Sequence, residues 1–120
     1  MSGSNNMSTV VKVKSKRQFK DLIESSYDVP VIIDYYATWC GPCKKISPIF
    51  DNISSNYGVS EDGHTLMKFA RLNVDKLEKI STEQNINSMP TFIVYKDGVQ
   101  VERSEGASKT RLAKLVLHHI

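Results

Sequence analysis

The sequence predicts an α/β fold, a central mixed five-stranded sheet flanked by four helices. Three observations predict it. Apolar residues recur at helical spacing in some segments and at strand spacing in others. The two kinds alternate as β-α-β-α-β-α and then close on β-β-α, the order of crossover units followed by a hairpin and a last helix. The hairpin carries its own signal, Asp97-Gly98 between two β-rich runs.

The elements follow in order. From Val11, the stretch VVKVK (Val10 to Lys14) alternates apolar and charged residues and reads as a half-exposed strand. Ser15 can cap the helix behind it, where Phe19, Leu22 and Ile23 form one apolar stripe. YDVP breaks that helix. Val31 to Ala37, VIIDYYA, is a nearly continuous run of β-branched and aromatic residues, as in a central strand buried on both faces. Asp34 is out of place there. A carboxylate in such a run is costly unless paired or neutral, and the burial pattern favours an interior carboxyl over one at a strand edge. The next helix begins near Pro42, whose missing N–H is harmless in a first turn. It turns Ile46, Ile49, Phe50 and Ile53 inward, and Pro48 inside it should kink it. NYGVSEDGHT is a turn-rich loop, and LMKFARLNV alternates as a strand. Asp75 is expected to cap a short helix carrying Leu77 and Ile80, which NSMPT ends. TFIVYKDGVQVE is the hairpin. EGASK leads to the last helix, with Ser108 as its cap and Leu112, Leu115 and Val116 inside.

Composition narrows the class. A chain of 120 residues, 40% hydrophobic and 24% charged, suits one globular domain with a real core. A net charge of +3, with no basic stripe interleaved with aromatics, argues against a nucleic-acid partner. No apolar run approaches the roughly 20 residues of a membrane span. The opening MSGSNNMST lacks an apolar signal region, and the first arginine is Arg17, so no leader is expected. Residues 1–8 read as a disordered tail, the compartment as cytoplasmic, and the protein as a monomer.

The chemistry lies in ATWCGPCKK, which holds both cysteines, Cys40 and Cys43. Two cysteines are too few for a disulfide-stapled scaffold. A structural zinc usually takes four ligands, and His64, His118 and His119 show no spacing that would complete a site. A reactive pair fits the position better. Cys40 stands between a buried strand and a helix N-terminus, where unpaired N–H groups and the helix dipole favour an anion. The thiolate is the nucleophilic form. Cys40, the exposed attacker, would form a mixed disulfide, and Cys43, shielded one turn further in, would resolve it. Asp34 on the adjacent strand could take the Cys43 proton, since burial raises a carboxyl toward the range of a base near neutral pH.

WCGPC, Trp39 to Cys43, resembles the active-site motif of the thioredoxin family, a familiar case of a thiol tuned for exchange. DYYATWCGPCKKISPIF resembles the family's strand-to-helix segment, with the buried Asp34, Lys44 and Pro48. RLNVD is similar to its third strand, SMPTFIVYKDG to its cis-proline segment and hairpin, and EGA to the glycine turn before its last helix. The likeness covers residues 9–120 and implies a single thioredoxin domain there. Gly-Pro between the cysteines differs from the Gly-His of protein disulfide isomerases and the Pro-Tyr of glutaredoxins.

The resemblance implies a protein disulfide reductase with no bound cofactor. Its Cys40–Cys43 disulfide would be recycled by a thioredoxin reductase drawing on NADPH, since this chain has no nucleotide-binding glycine loop. It implies a catalytic segment of Cys40, Gly41, Pro42 and Cys43, served by Asp34. A cis Pro90 would set the Met89 backbone beside the cysteines, in a shallow substrate groove of Trp39, Gly41, Pro42, Met89, Pro90, Gly106 and Ala107. Arg71 stands where many members carry a lysine near the buried Asp. An arginine stays charged at any working pH, which puts a proton-relay role there in doubt. A non-catalytic thioredoxin-fold subunit of a larger assembly and a metal site remain open as alternatives.

Overall fold

Local signals and tertiary burial agree along most of the chain. The structure, a computed structural model, describes residues 9–120; the tail expected over residues 1–8 lies outside the described residues. Five strands, β1 (Val11–Val13), β2 (Val31–Tyr36), β3 (Lys68–Asn73), β4 (Thr91–Lys96) and β5 (Val99–Glu105), form one mixed sheet. Its order is β1-β3-β2-β4-β5; β1 and β2 run parallel to β3, and β4 runs antiparallel to both its neighbours. The helices are α1 (Lys16–Glu24), α2 (Gly41–Tyr57), α3 (Glu78–Glu83) and α4 (Lys109–Leu117). The expected mixed five-stranded sheet with four helices is the fold that forms.

The apolar run of β2 places it at the sheet centre, hydrogen-bonded on both sides. Alternate residues feed two cores, because successive strand side chains point to opposite faces. Val31, Ile33 and Tyr35 join Phe19 of α1, Ile80 of α3 and Ile93 of β4 on one face. Ile32 joins Ile46 and Phe50 of α2, Phe69, Phe92 and Leu112 of α4 on the other. The serine caps form as expected: Ser15 Oγ accepts from the Gln18 N–H and Ser108 Oγ from the Arg111 N–H, each at 3.1 Å. Pro48 lies inside α2.

The hairpin turn has Asp97 at φ 53° and Gly98 at φ 81°, the two left-handed positions that match the twist of the flanking strands. Its tip is tied down. The Asp97 N–H donates to the Ser26 carbonyl at 2.9 Å, and the Gly98 N–H donates to Ser26 Oγ at 2.8 Å. Ser26 belongs to a 3₁₀ turn, Ser25–Tyr27, that extends α1 and that no local signal marks.

The first strand is half-exposed, as expected, and three residues long, with Val13 buried and Val11 and Lys12 exposed. An edge strand paired on one side has little core to reach. One expectation is corrected. Asp75 does not cap α3, whose N-cap is Leu77 without a side-chain bond. The chain turns first at Asn73, whose carbonyl accepts from Leu77 N–H at 3.1 Å and whose Oδ1 accepts from Asp75 N–H at 2.9 Å. That turn holds Asp75 before the helix begins and leaves its carboxylate for another partner.

Candidate active site

β2 ends against the N-terminus of α2, and the two cysteines lie at that junction. Cys40 is the N-cap of α2, with its Sγ 3.2 Å from the Cys43 backbone N–H that donates to it. The two residues form a disulfide, their Cα atoms 5.3 Å apart. An i, i+3 pair on the first helical turn reaches this geometry without distorting the helix.

The expected contrast between an exposed Cys40 and a shielded Cys43 is not found: they are 6% and 4% exposed. The reason is the segment before β4. The Met89–Pro90 bond is cis, as the resemblance implied, and the Met89 carbonyl comes within 3.7 Å of Cys40 Sγ. What separates the sulfurs is their neighbours. Cys40 faces the Met89 backbone, whereas Cys43 lines a cleft with Asp34.

The surrounding segments are fixed by bonds to backbone carbonyls. The Gly106 N–H donates to the Pro90 carbonyl at 2.9 Å, and Thr91 Oγ1 donates to the Ser88 carbonyl at 2.7 Å. Gly106 adopts φ 94°, a left-handed conformation that an L side chain rarely takes. Gly41, Pro42 and Ala107 are exposed, and Met89 and Gly106 are half-buried. Trp39 is 68% exposed, yet its indole N–H donates to Asp75 Oδ2 at 2.9 Å. Asp75 is the site residue that sequence reasoning misplaced. The spacing of 36 residues to Trp39 carries no local signal.

Asp34 is 1% exposed, and its Oδ1 has no hydrogen-bond partner. Burial pushes its pKa from 3.8 up to about 7; the Arg71 charge opposes that rise and the Asp51 charge adds to it. Arg71 Nε lies 3.9 Å from Asp34 Oδ2, while its Nη2 pairs with Asp51 Oδ1 at 2.9 Å. Asp34, Cys43, Lys44 and Arg71 line a cleft of about 270 Å³. A carboxyl that titrates near neutrality and a thiol that must lose a proton thus open onto one space. A second hollow of about 320 Å³ between α1 and the hairpin, lined by Phe19, Ile23, Tyr27 and Tyr95 among others, holds neither cysteine. Among the described residues no group of three or more His, Cys, Asp or Glu is placed to hold a metal ion, and no helix is long and apolar enough to cross a membrane.

The Thioredoxin family model matches residues 10–118. The chain belongs to the thioredoxin family. It is 48% identical to a thioredoxin of Coprinus comatus over 86 residues, 72% of this chain and 76% of that one. It is 38% identical to Thioredoxin 1 of Plasmodium falciparum over 104 residues, 87% of this chain and 91% of that one. A solved structure of Plasmodium falciparum thioredoxin superposes with a TM-score of 0.83 at 35% identity, covering 92% of this chain and 100% of that one. As a thioredoxin-family member with its cysteine pair in place, the chain is a thiol–disulfide oxidoreductase that reduces protein disulfides. Its redox group is the Cys40–Cys43 pair itself. Nothing in the site or the relatives favours a non-catalytic binding subunit.

Proposed function

We propose that Cys40 attacks target disulfides, that Cys43 resolves the product with Asp34 as its proton acceptor, and that an NADPH-dependent thioredoxin reductase restores the dithiol. In the reduced protein the Cys40 thiolate attacks one sulfur of a target disulfide. That S–S bond breaks, one target sulfur leaves as a thiolate, and a mixed disulfide forms. Cys43 passes its proton to the Asp34 carboxylate, and its thiolate attacks Cys40 Sγ. The mixed disulfide breaks, the second target sulfur leaves, and the Cys40–Cys43 disulfide closes. Two electrons have passed to the target, and the reductase returns two from NADPH.

The observation that carries this reading is the place of Cys40, on the N-cap of α2 with its sulfur 3.7 Å from the Met89 carbonyl. The helix start favours the thiolate. The Met89 backbone beside the sulfur offers an extended target segment a partner for main-chain hydrogen bonds. Trp39, Gly41, Pro42, Pro90, Gly106 and Ala107 complete the groove for that segment. A monomer in the cytoplasm suits the chemistry, because a reducing compartment keeps such a pair charged with electrons. The test is reduction of insulin disulfides with reductase and NADPH. Turnover is expected from the native protein and none from Cys40→Ser; folded native protein without turnover would overturn the reading.

A further inference from the structure

Arg71 is hydrogen-bonded to helix α2 and not to the carboxyl beside it. Asp34 and Arg71 stand abreast in the β2–β3 register, so their side chains leave the sheet on the same face. Arg71 nevertheless turns toward α2. Its Nη2 lies 2.9 Å from Asp51 Oδ1 and 3.5 Å from the Ser47 carbonyl, and its guanidinium carbon stands 5.6 Å from the centre of the Phe50 ring. The distance left between Nε and Asp34 Oδ2, 3.9 Å, is too long for a hydrogen bond. Asp34 Oδ1 has no partner at all. A guanidinium fork matches a carboxylate with two parallel bonds, so an Arg71 freed from α2 would find a vacant acceptor within reach.

We propose that Asp51 is a positioning residue for the resolving step, holding Arg71 along α2 and thereby keeping the guanidinium from closing on Asp34. The inference rests on the reading of Asp34 as proton acceptor for Cys43. A carboxylate clamped by Arg71 is stabilised in its charged form and binds a proton more weakly. The base that Cys43 needs is therefore preserved by a residue that touches neither sulfur nor target. The other polar and charged groups lining its cleft are Lys12 from β1, Tyr36 from β2, Thr38 between β2 and α2, and Cys43, Lys44 and Ser47 from α2; β4 sets the uncharged Phe92 beside it. These remain when Asp51 is replaced. Loss of the Asp51 charge acts directly on Asp34 in the same direction, so the two routes are separated through Arg71.

The titration of Asp34 is followed by carbon-13 NMR of its carboxyl in the oxidised protein, where neither cysteine titrates. The Asp51 side chain is 36% exposed and belongs to neither apolar core cluster. Asp51→Asn is expected to lower the Asp34 midpoint by about one pH unit or more, a tenfold loss of proton affinity. Asp51→Glu is expected to restore most of it. In the Arg71→Gln background, Asp51→Asn should move the midpoint much less. Equal displacement in both backgrounds, or no displacement on the native background, overturns the proposal. The pH profile of mixed-disulfide release should move with the same midpoint. Because the titration needs no turnover, absence of insulin reduction would defeat the functional reading while leaving this result intact.

Discussion

Asp34→Asn removes a carboxyl that folding buries almost completely and leaves with one unpartnered oxygen. Unfolded, the group ionises near 3.8; folded, burial holds its pKa at about 7. Below the unfolded value both states carry the proton, and the carboxyl does not bias folding. As pH rises from 3.8 to about 7 the unfolded chain ionises while the folded one resists, so stability falls through that window. Above the folded value both states are charged and the loss is complete. At about 1.4 kcal/mol per tenfold change in proton affinity, the displacement amounts to roughly 4 kcal/mol. Asn cannot ionise, so the variant should gain roughly that much on the native protein between about pH 4 and about pH 8. The assay is urea unfolding of both oxidised proteins across that range, followed by circular dichroism, with equal denaturant slopes confirming comparable unfolding. A constant offset between them carries no weight, since the amide has its own desolvation cost. A difference that stays flat with pH would refute the titration of Asp34 in this window, and with it the case for Asp34 as a base near neutrality.

Three further outcomes are expected. Cys43→Ser should hold targets on Cys40 as mixed disulfides, visible as reductant-sensitive adducts on non-reducing gels; a Cys40→Ser protein that traps the same targets equally well through Cys43 would contradict the order of attack. Asp75→Ala should release the Trp39 indole while changing stability by about 1 kcal/mol or less. Fluorescence anisotropy of the single tryptophan should fall, and insulin turnover should fall with it. Gly98→Ala forces a side chain into φ 81° with its Cβ 2.9 Å from the Tyr27 hydroxyl, and should cost about 1–2 kcal/mol. Its melting temperature should drop by about 4–8 °C per kcal/mol; an unchanged value would mean the turn relaxes freely.

What could be read from the sequence was whatever a short window determines. Ser15 and Ser108 cap the helices that follow them, Asp97-Gly98 makes the left-handed turn, and VIIDYY becomes the doubly buried central strand. In each case local preference and burial point the same way. Asp34 was legible as an anomaly, a lone carboxyl in an apolar run, and its neighbourhood bears out why it is perturbed. Asp75 was misread because a capping residue and a distant hydrogen-bond acceptor look identical in one dimension. The similar burial of Cys40 and Cys43 depends on Met89, 49 residues away from Cys40. The alliance of Arg71 with Asp51 depends on how α2 lies across β3, and no periodicity encodes which of two carboxylates a guanidinium will choose.

The anchored hairpin tip bears on how the protein can be re-engineered. A two-residue turn at the surface usually invites insertion of a guest peptide. At Asp97-Gly98, lengthening the turn would strip Ser26 of both amides it accepts from and detach the end of α1 from the sheet. The loop around Glu61 to His64 is a better graft point. It is exposed, and its bonds run among Ser60, Asp62, Gly63 and His64 themselves. A displayed peptide there would disturb only its own neighbours, at a loop remote in sequence from the cysteine pair, so the redox chemistry could be carried as a passenger-tolerant module.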